Sequence, residues 1–396
     1  MSSADHHAPR VRAVMREGER VTPLELFFDL VFVLALTQCT TLVYRTPTWL
    51  GVLKGMLALG VLWWSWCGYA WLTSVVDPEE GAVRLAMFAA MAAFLVAALC
   101  VPGAFGSEAV LFACAYAVVR AAHIALFMIA SRDDVKLRRS VLGLAVSTAL
   151  GVGLLAVAAL IGGSAQIVLW GVALALDLAG PYLAGSEGWK LVPGHFAERH
   201  GAIVIIALGE SIVAIGIGAR PKIGAGVVAA AILGVVVAAA LWWTYFDVSA
   251  IVAARRLARA QAGRERNEMA RDSYSYLHLP MVAGIALIAV GIKRALLGVE
   301  DPLHLVPAAA LLGGAAVYLL AQVAFRLRNM QSVSYRRLLC ALALLALVPA
   351  AAALPALGAL AVLAAALVAL IVYEVVRYAD VRERVRHAVA REVASG

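Results

Sequence analysis

The sequence predicts an all-α, polytopic membrane protein with about twelve transmembrane helices. Of its 396 residues, 63% are hydrophobic and only 15% are charged, whereas soluble domains carry roughly 25% charged residues. Apolar runs recur from one end of the chain to the other, and most approach the roughly 20 residues that a helix needs to cross about 30 Å of hydrocarbon. One soluble core cannot bury that much apolar surface, so we expect a lipid bilayer around the chain.

The apolar runs define the individual spans. We predict them at 24–44, 50–76, 82–101, 107–130, 139–162, 164–184, 197–219, 223–253, 273–292, 303–325, 336–353 and 356–378. The second and eighth runs are longer than a bilayer requires and should tilt or protrude. The last two runs are nearly continuous, and Pro349, Pro355 and Gly358 indicate a tight turn between them.

The Lys and Arg residues predict the orientation. With the N-terminus inside, the inner segments hold 26 of them, the outer loops hold 6, and Arg120 lies within a span, which accounts for all 33. Because cytoplasmic loops are enriched in Lys and Arg, we predict an inner-membrane protein with cytoplasmic tails at 1–22 and 379–396. The first twenty residues lack the apolar core of a signal peptide. The net charge of +8 therefore reflects orientation, and no nucleic-acid partner is expected.

Two short patterns occur twice, six spans apart. An acidic residue stands at the start of the first and seventh spans, at Glu25 and Glu198. A Leu-Trp-Trp step followed by a small residue lies in the second and eighth spans, at 62–65 and 241–244. An even number of spans keeps two repeats in the same orientation. The patterns predict a parallel repeat of two six-helix halves, 23–184 and 197–378, joined by a cytoplasmic linker at 185–196.

Charged groups inside hydrocarbon are costly and are therefore functional candidates, and Glu210 is the strongest. It lies twelve residues beyond Glu198, which is about 18 Å along a helix and close to the predicted midplane. Gly209, Gly216 and Gly218 surround it and predict a face that packs closely against another helix or lines a narrow cavity. Glu210 is either a proton carrier or cation ligand, or one half of a static ion pair.

The first span carries two acids. Thr22 and Glu25 have the spacing of a capping box, in which each side chain bonds the backbone N–H of the other residue, and this structural role is the preferred one for Glu25. Asp29 follows one turn later on the same face, roughly 10 Å inside the helix. A carboxylate buried there must find a partner or take up a proton, and both alternatives are open.

A polar stripe runs along the fourth span, where Tyr116, Arg120 and His123 follow each other at helical spacing. Because an arginine stays protonated, Arg120 needs an acidic or carbonyl partner, and a structural pair is its preferred role. Three acids lie at a plausible depth for that pair: Asp29, Asp177 and Glu210. His123 is either a satisfied core histidine or a proton relay.

Asp177 and Asp247 complete the set of embedded acids. With Asp29 and Glu210 they give four acids against one arginine, Arg120. That excess favours bound protons or a cationic ligand over an anionic one, so we expect a cation or another small molecule as the substrate class. The alternative for Asp247 is an interfacial position near the arginines at 255 and 256.

Polar residues also cluster at the predicted cytoplasmic ends of two spans. They are His195, Glu198, Arg199 and His200 before the seventh span, and Tyr276 and His278 in the ninth. Two histidines and a carboxylate could hold a metal ion, but a spacing of five residues turns the two histidines about 140° apart on a helix. Contacts to lipid head groups or loops are preferred, and no metal is predicted.

The sequence lacks the common catalytic signatures. It has no P-loop, nucleophile elbow, zinc-protease motif or dinucleotide fingerprint. Its five cysteines all lie in apolar runs without a CxxC pair. We therefore expect no cofactor, and an enzyme is the less favoured class.

Two segments resemble a known family. They are PLELFFDLVFVLALTQ at 23–38 and HFAERHGAIVIIALGES at 195–211, and together they resemble the signatures of the bacterial low temperature requirement A protein family. The step from Arg120 to His123 and the step from Tyr276 to His278 are also similar to family positions. The resemblance implies a multipass membrane protein and carries no particular reaction or substrate with it.

The leading hypothesis is a secondary transporter coupled to protons, with Glu210, Asp29 and Arg120 as its charged core. A channel for protons or cations suits the embedded acids as well. A membrane-embedded enzyme on lipid-linked substrates would use the cluster of His195, Glu198 and His200. A non-transporting membrane protein that supports growth in the cold is the fourth alternative.

Overall fold

The computed structural model describes residues 20–79, 81–183, 185–218 and 223–377. These residues form helices and short connections, with no β-strand among them. Three parts of the sequence prediction lie outside the described residues: most of the predicted N-terminal tail, the C-terminal tail at 379–396, and the outer-loop residues at 220 and 222. The predicted cytoplasmic position of the two termini stays a prediction.

Twelve helical segments in the described part of the chain are long and apolar enough to cross a membrane, which confirms the all-α, twelve-helix prediction. The helices are α1 Pro23–Arg45, α2 Trp49–Thr73, α3 Gly81–Cys100, α4 Ala109–Ala130, α5 Val135–Ile161, α6 Gly163–Leu183, α7 Pro193–Gly218, α8 Ala225–Phe246, α9 Ser249–Arg259, α10 Arg264–Met269, α11 His278–Leu297, α12 Leu305–Ala308, α13 Gly314–Met330, α14 Tyr335–Ala353 and α15 Ala356–Arg377.

Two spans contain a π-helical segment. Ala270–Tyr276 joins α10 to α11, and Ala309–Gly313 joins α12 to α13. The ninth span therefore covers Arg264–Leu297 instead of the predicted 273–292. The prediction stopped where polar residues begin, but the backbone stays helical beyond the apolar run at both ends.

The turn predicted between the last two spans lies where Pro355 indicated it. α14 ends at Ala353 and α15 begins at Ala356. Pro349 and Gly358, by contrast, lie inside the two helices. A proline inside a membrane helix is tolerated when neighbouring groups satisfy the freed backbone, so Pro349 does not end α14.

Helix starts follow local capping chemistry. Asp134 precedes α5 and accepts a hydrogen bond from the backbone N–H of Leu137 at 3.1 Å, as an N-cap residue does. α7 begins at Pro193, four residues before the predicted start at 197, because proline suits the first helical position. The longer α7 changes the depth at which its polar residues lie.

The chain forms two compact units. The first unit contains the described residues up to Ala35, Val61–Phe196 and Gln261–Asn267. The second contains Leu36–Gly60, Ala197–Ala260 and the described residues from Glu268 onward. α1 and α2 thus contribute to both units. This grouping reflects proximity and not internal symmetry, so the predicted six-plus-six repeat stays a prediction.

Aromatic side chains form much of the core of the first unit. Phe28 stacks on Phe94 at 5.7 Å between ring centroids, and Trp63 lies 4.9 Å from Trp66. All four of these side chains are fully buried. In the other Leu-Trp-Trp step, which belongs to the second unit, Trp242 is 43% exposed. The two steps therefore differ in their burial.

Candidate functional site

The first unit pairs Arg120 of α4 with Asp177 of α6. The Nη2 atom of Arg120 lies 3.3 Å from Oδ1 of Asp177, and the two side chains are 1% and 4% exposed. The same nitrogen donates to the hydroxyl of Thr148 at 2.6 Å, and the hydroxyl of Tyr116 donates to Oδ2 of Asp177 at 3.1 Å. Of the three acids that the sequence offered to Arg120, the structure places Asp177 beside it. Positive and negative charge thus balance within a buried hydrogen-bonded group.

His123 lies one turn beyond Arg120 and is also buried. Its ring packs against Tyr69 and Phe127 at centroid distances of 5.4 and 5.1 Å. A Cβ added at Gly68 would lie 2.7 Å from the ring, so the glycine makes room for it. Neither ring nitrogen has a hydrogen-bond partner in the part of the chain that the structure describes, and a proton-relay role for His123 stays a prediction.

The capping box at the start of α1 is confirmed. The backbone N–H of Thr22 donates to Oε2 of Glu25 at 2.9 Å, and that of Glu25 donates to Oγ1 of Thr22 at 3.3 Å. The other carboxylate oxygen of Glu25 lies 2.8 Å from Nε2 of His195. One turn later, Trp66 donates its indole N–H to Asp29 at 2.7 Å. Glu25 and Asp29 are both fully buried, with these partners in the first unit.

Glu210 occupies a different environment in the second unit. Its residue is 3% exposed, and two threonine hydroxyls of α1 contact its carboxyl group. Oγ1 of Thr37 lies 2.6 Å from Oε2, and Oγ1 of Thr40 lies 2.7 Å from Oε1. The ammonium group of Lys293 in α11 lies close enough for its charge to act on the carboxyl group. The neutral hydroxyls are thus the direct partners of this acid.

The hydroxyl of Thr40 has two possible acceptors. It lies 2.9 Å from the backbone oxygen of Thr37 and 2.7 Å from Oε1 of Glu210. A hydroxyl has one proton to donate and lone pairs that accept. When Glu210 is charged, Thr40 can donate to it; when Glu210 is protonated, it can donate to Thr40, which then donates to the backbone. The same side-chain positions therefore satisfy both protonation states.

The structure revises the depth of Glu210 within α7. Counted from Pro193, it lies about 25 Å from the start of the helix, and it lies about 12 Å before the end at Gly218. Thr37 is likewise about 12 Å before the end of α1. The site therefore lies on the C-terminal side of both helices, about 7 Å past the middle of α7 and about 5 Å past the middle of α1. Its position at the midplane of a membrane stays a prediction.

The glycines near Glu210 do not share one role. A Cβ at Gly218 would lie 2.8 Å from Leu296, which agrees with the predicted close packing of helices. A Cβ at Gly209 or Gly216 would meet nothing within 4 Å. Close approach therefore explains Gly218 alone.

Two basic residues near this site correct the sequence prediction. The ninth predicted span ends at 292 and leaves Lys293 and Arg294 in the loop after it, but they belong to the last turns of α11. The Nζ atom of Lys293 lies 4.1 Å, and the guanidinium carbon of Arg294 4.4 Å, from the ring centroid of Tyr44. No glycine or proline occurs between Ile292 and Gly298, and that absence could have predicted that the helix continues.

The second unit also holds a histidine cluster, formed by His200 of α7 and His278 of α11. The Nδ1 atom of His278 lies 3.0 Å from the backbone oxygen of Ser273. Because a carbonyl oxygen only accepts hydrogen bonds, Nδ1 carries a proton. The hydroxyl of Tyr245 donates to Nε2 at 2.7 Å. The ring of His200 lies 5.3 Å from those of Tyr274 and His278. His195 has its partner Glu25 in the first unit, so the two histidines of α7 serve different clusters.

The remaining predicted residues differ in their exposure. Glu198 is exposed, Arg199 is buried, and Tyr276 and Asp247 are half-buried. No group of three or more His, Cys, Asp or Glu residues suited to a metal ion occurs among the described residues.

Comparison with known proteins places the chain in a family. Residues 20–372 match the family described as bacterial low temperature requirement A protein (LtrA). The chain is also similar to the uncharacterized protein RA0937 of Rhizobium meliloti (strain 1021), with 30% identity over 310 residues that cover 73% of each chain. No solved structure matches the chain. The family match spans both signature segments and nearly all twelve spans, so the chain belongs to the bacterial low temperature requirement A family of multipass membrane proteins.

Proposed function

We propose that the protein is a proton-coupled secondary transporter and that Glu210 takes up and releases the coupling proton. The observation that carries this proposal is the geometry around its carboxyl group. Thr37 and Thr40 contact both carboxylate oxygens, and Thr40 can act as donor or acceptor because a backbone oxygen lies within reach of its hydroxyl. A proton can therefore be added to or removed from Glu210 without leaving a hydrogen-bonding group unsatisfied.

Lys293 supports the charged state of this site. A carboxylate in an apolar environment is costly unless an opposite charge or several hydrogen bonds compensate it. The charge of Lys293 acts on Glu210, and the two hydroxyls add the hydrogen bonds. Glu210 thus has support for its charged form and acceptors for its neutral form, as an exchangeable proton site requires.

The buried ion pair of the first unit differs from the Glu210 site in a way that restricts the proposed proton-carrying role. Arg120 and Asp177 already neutralise each other in a buried pair, and an arginine keeps its proton. This pair is therefore assigned a structural role, and the proton-carrying role is confined to Glu210. In the proposed inner-membrane orientation with cytoplasmic termini, the C-terminal end of α7 faces the outer side. Glu210 lies closer to that end than to Pro193, so the proton would enter from there.

The test uses purified protein in liposomes that contain a pH-sensitive dye. A potassium diffusion potential drives proton movement, and dye fluorescence reports the flux. We expect a measurable flux with the wild-type protein and a flux at the level of empty liposomes with Glu210→Gln. Glu198→Gln is the matched control on α7, because Glu198 is exposed, and it should retain the wild-type flux.

A second measurement is needed for the case in which protons move only together with a substrate. Difference infrared spectra recorded across pH detect a carboxyl group that changes protonation, and the wild-type signal should disappear in Glu210→Gln but persist in Glu198→Gln. Equal proton flux above the level of empty liposomes in wild type and Glu210→Gln, or identical infrared differences in both, would refute the role of Glu210.

A further inference from the structure

An apolar groove opens in the second unit, at the end where α2 begins and α11 ends. Its volume is about 480 Å³, within the roughly 300–1,000 Å³ of ligand-binding pockets. Its lining is apolar and includes Trp49, Val52, Leu287, Ala309, Gly313 and Pro349. Apart from the indole N–H of Trp49, the side chains of these lining residues are apolar, so the lining suits a hydrocarbon chain.

Two helix irregularities lie on the walls of this groove. The π-helical segment Ala309–Gly313 contributes several lining residues, and so does the end of α14 around Pro349. π-Helical segments occur frequently at functional sites. A Cβ added at Gly313 would meet nothing within 4 Å. Packing therefore does not require a glycine at this position, and its missing side chain leaves the groove wider.

The backbone around the groove is fixed. His304 precedes α12, and its N–H donates to the carbonyl of Ala352 near the end of α14 at 3.1 Å. The N–H of Ala356 donates to the carbonyl of Asp301 at 2.8 Å. These bonds hold the chain before α12 against the turn between α14 and α15, so the groove is formed in advance and a ligand need not order it.

Positive charge gathers beside the groove. Val52 and Leu287 on its wall pack against the same small core as Tyr44. The ring of Tyr44 contacts the charged groups of Lys293 and Arg294, and the charge of Arg45 acts on Lys293 as well. Lys293 and Arg294 therefore form a pair of adjacent cations at the ring of Tyr44, in the last turns of α11.

We propose that the groove binds one acyl chain of an anionic phospholipid whose phosphate contacts Lys293 and Arg294. The apolar lining matches the chain, and the adjacent cations Lys293 and Arg294 match the phosphate. Basic pockets between membrane helices recognise anionic head groups in this way. Trp49 lines the groove and is 58% exposed, and tryptophan favours the level of the head groups. The two proposals share Lys293, but lipid binding does not require Glu210 to be the proton carrier.

The test is native mass spectrometry of the full-length protein in detergent with added phosphatidylglycerol or phosphatidylcholine of equal chain length. We expect one phosphatidylglycerol to bind to the wild-type protein in preference to phosphatidylcholine. Gly313→Leu fills the groove from a position with free space and should weaken this binding by about tenfold. Arg294→Gln should reduce the preference for phosphatidylglycerol roughly fivefold, since one cation near anionic lipid contributes about 1 kcal/mol.

Gly171→Leu is the matched control, because Gly171 is also helical and also has free space around a Cβ, but it lies in the first unit. It should bind phosphatidylglycerol as the wild type does. Val306→Trp fills the same groove from α12 and provides the test if Gly313→Leu does not fold. Undiminished binding in a folded groove-filling variant, or equal binding of the two lipids to the wild type, would overturn the proposal.

Discussion

Arg120 and Glu210 are both ionisable side chains in membrane-spanning helices, yet their surroundings differ. Arg120 lies 3.3 Å from the opposite charge of Asp177 and donates to Thr148 as well. Glu210 contacts the neutral hydroxyls of Thr37 and Thr40. The first arrangement holds a fixed charge distribution, and the second is compatible with two protonation states.

This difference shows that burial alone does not identify a functional charge. Arg120 is 1% exposed and Glu210 is 3% exposed, so both pass any test based on burial. What separates them is whether the partner compensates the charge permanently. Removal of one member of a buried ion pair leaves a costly unpaired charge, whereas neutralising an acid held by hydroxyls leaves hydrogen bonds that can re-form.

The largest effect on stability is therefore expected in the first unit. Asp177→Asn should lower the free energy of unfolding by about 3–5 kcal/mol, because it leaves the guanidinium of Arg120 buried without an opposite charge. Unfolding by sodium dodecyl sulfate in mixed micelles, followed by circular dichroism, measures this loss.

The double variant Arg120→Met with Asp177→Leu is the control for this measurement. Replacement of a whole buried pair by apolar side chains is often neutral or stabilising, so the double variant should recover most of the lost stability. A loss below about 1 kcal/mol for Asp177→Asn would mean that water reaches the pair, and the contrast with Glu210 would then disappear.

Much of the fold and part of these sites follow from the sequence. The number of spans and their helical class depend on the lengths of the apolar runs. The capping box of Thr22 and Glu25 depends on two residues three positions apart. Local sequence patterns are therefore sufficient to predict both. The need of Arg120 for a partner follows from its permanent charge. The identity of that partner, Asp177, does not follow from the sequence, because it depends on which helices pack together. Depth in the membrane alone allowed three acids as partners of Arg120.

The partners of Glu210 were missed for a different reason. Threonines in membrane helices usually bond their own backbone, so Thr37 and Thr40 gave no distinct signal. Their spacing of three places both hydroxyls on one helix face, and that spacing is the signal that could have been used. Lys293 was missed because the apolar run ends before the helix does.

A smaller loss of stability is expected when a methyl group is added beside the buried ring of His123. Gly68→Ala should destabilise the protein by about 1–3 kcal/mol, since the new methyl group would overlap the buried ring of His123 and force it to shift. Gly153→Ala is the control, because a Cβ there meets nothing within 4 Å. Equal unfolding free energies of the two variants would show that His123 has room to move.

An exposed ion pair of the first unit sharpens the comparison with Arg120. Nζ of Lys190 lies 2.8 Å from Asp134, with side chains 56% and 27% exposed. The hydrogen bond from Lys190 holds the pKa of Asp134 below its usual value, and the N–H of Leu137 adds to this effect. Asp134→Ala should cost about 1 kcal/mol, chiefly through the lost N-cap of α5, and Lys190→Gln less than that because an exposed pair contributes little.

The pH dependence of the Asp134 contribution has a definite sign. Because its pKa is lower in the folded protein than in the unfolded chain, the contribution is complete above the unfolded value of about 3.9 and is lost as the pH falls through the folded value. Unfolding measured between pH 7 and pH 3 should show the stabilities of wild type and Asp134→Ala converging at the acidic end. A constant difference over this range would assign the effect to packing.

The smallest change in stability is expected for Glu210→Gln, although it should abolish the proton flux. Glutamine keeps the shape of the side chain, and its amide can donate to or accept from the hydroxyls of Thr37 and Thr40. Only the interaction with the charge of Lys293 is lost, and Lys293 is half-buried, so the unfolding free energy should change by less than about 1 kcal/mol. A loss as large as that of Asp177→Asn would place Glu210 in a fixed ion pair like Arg120, and the proposed division between a structural charge and a proton-carrying one would fail.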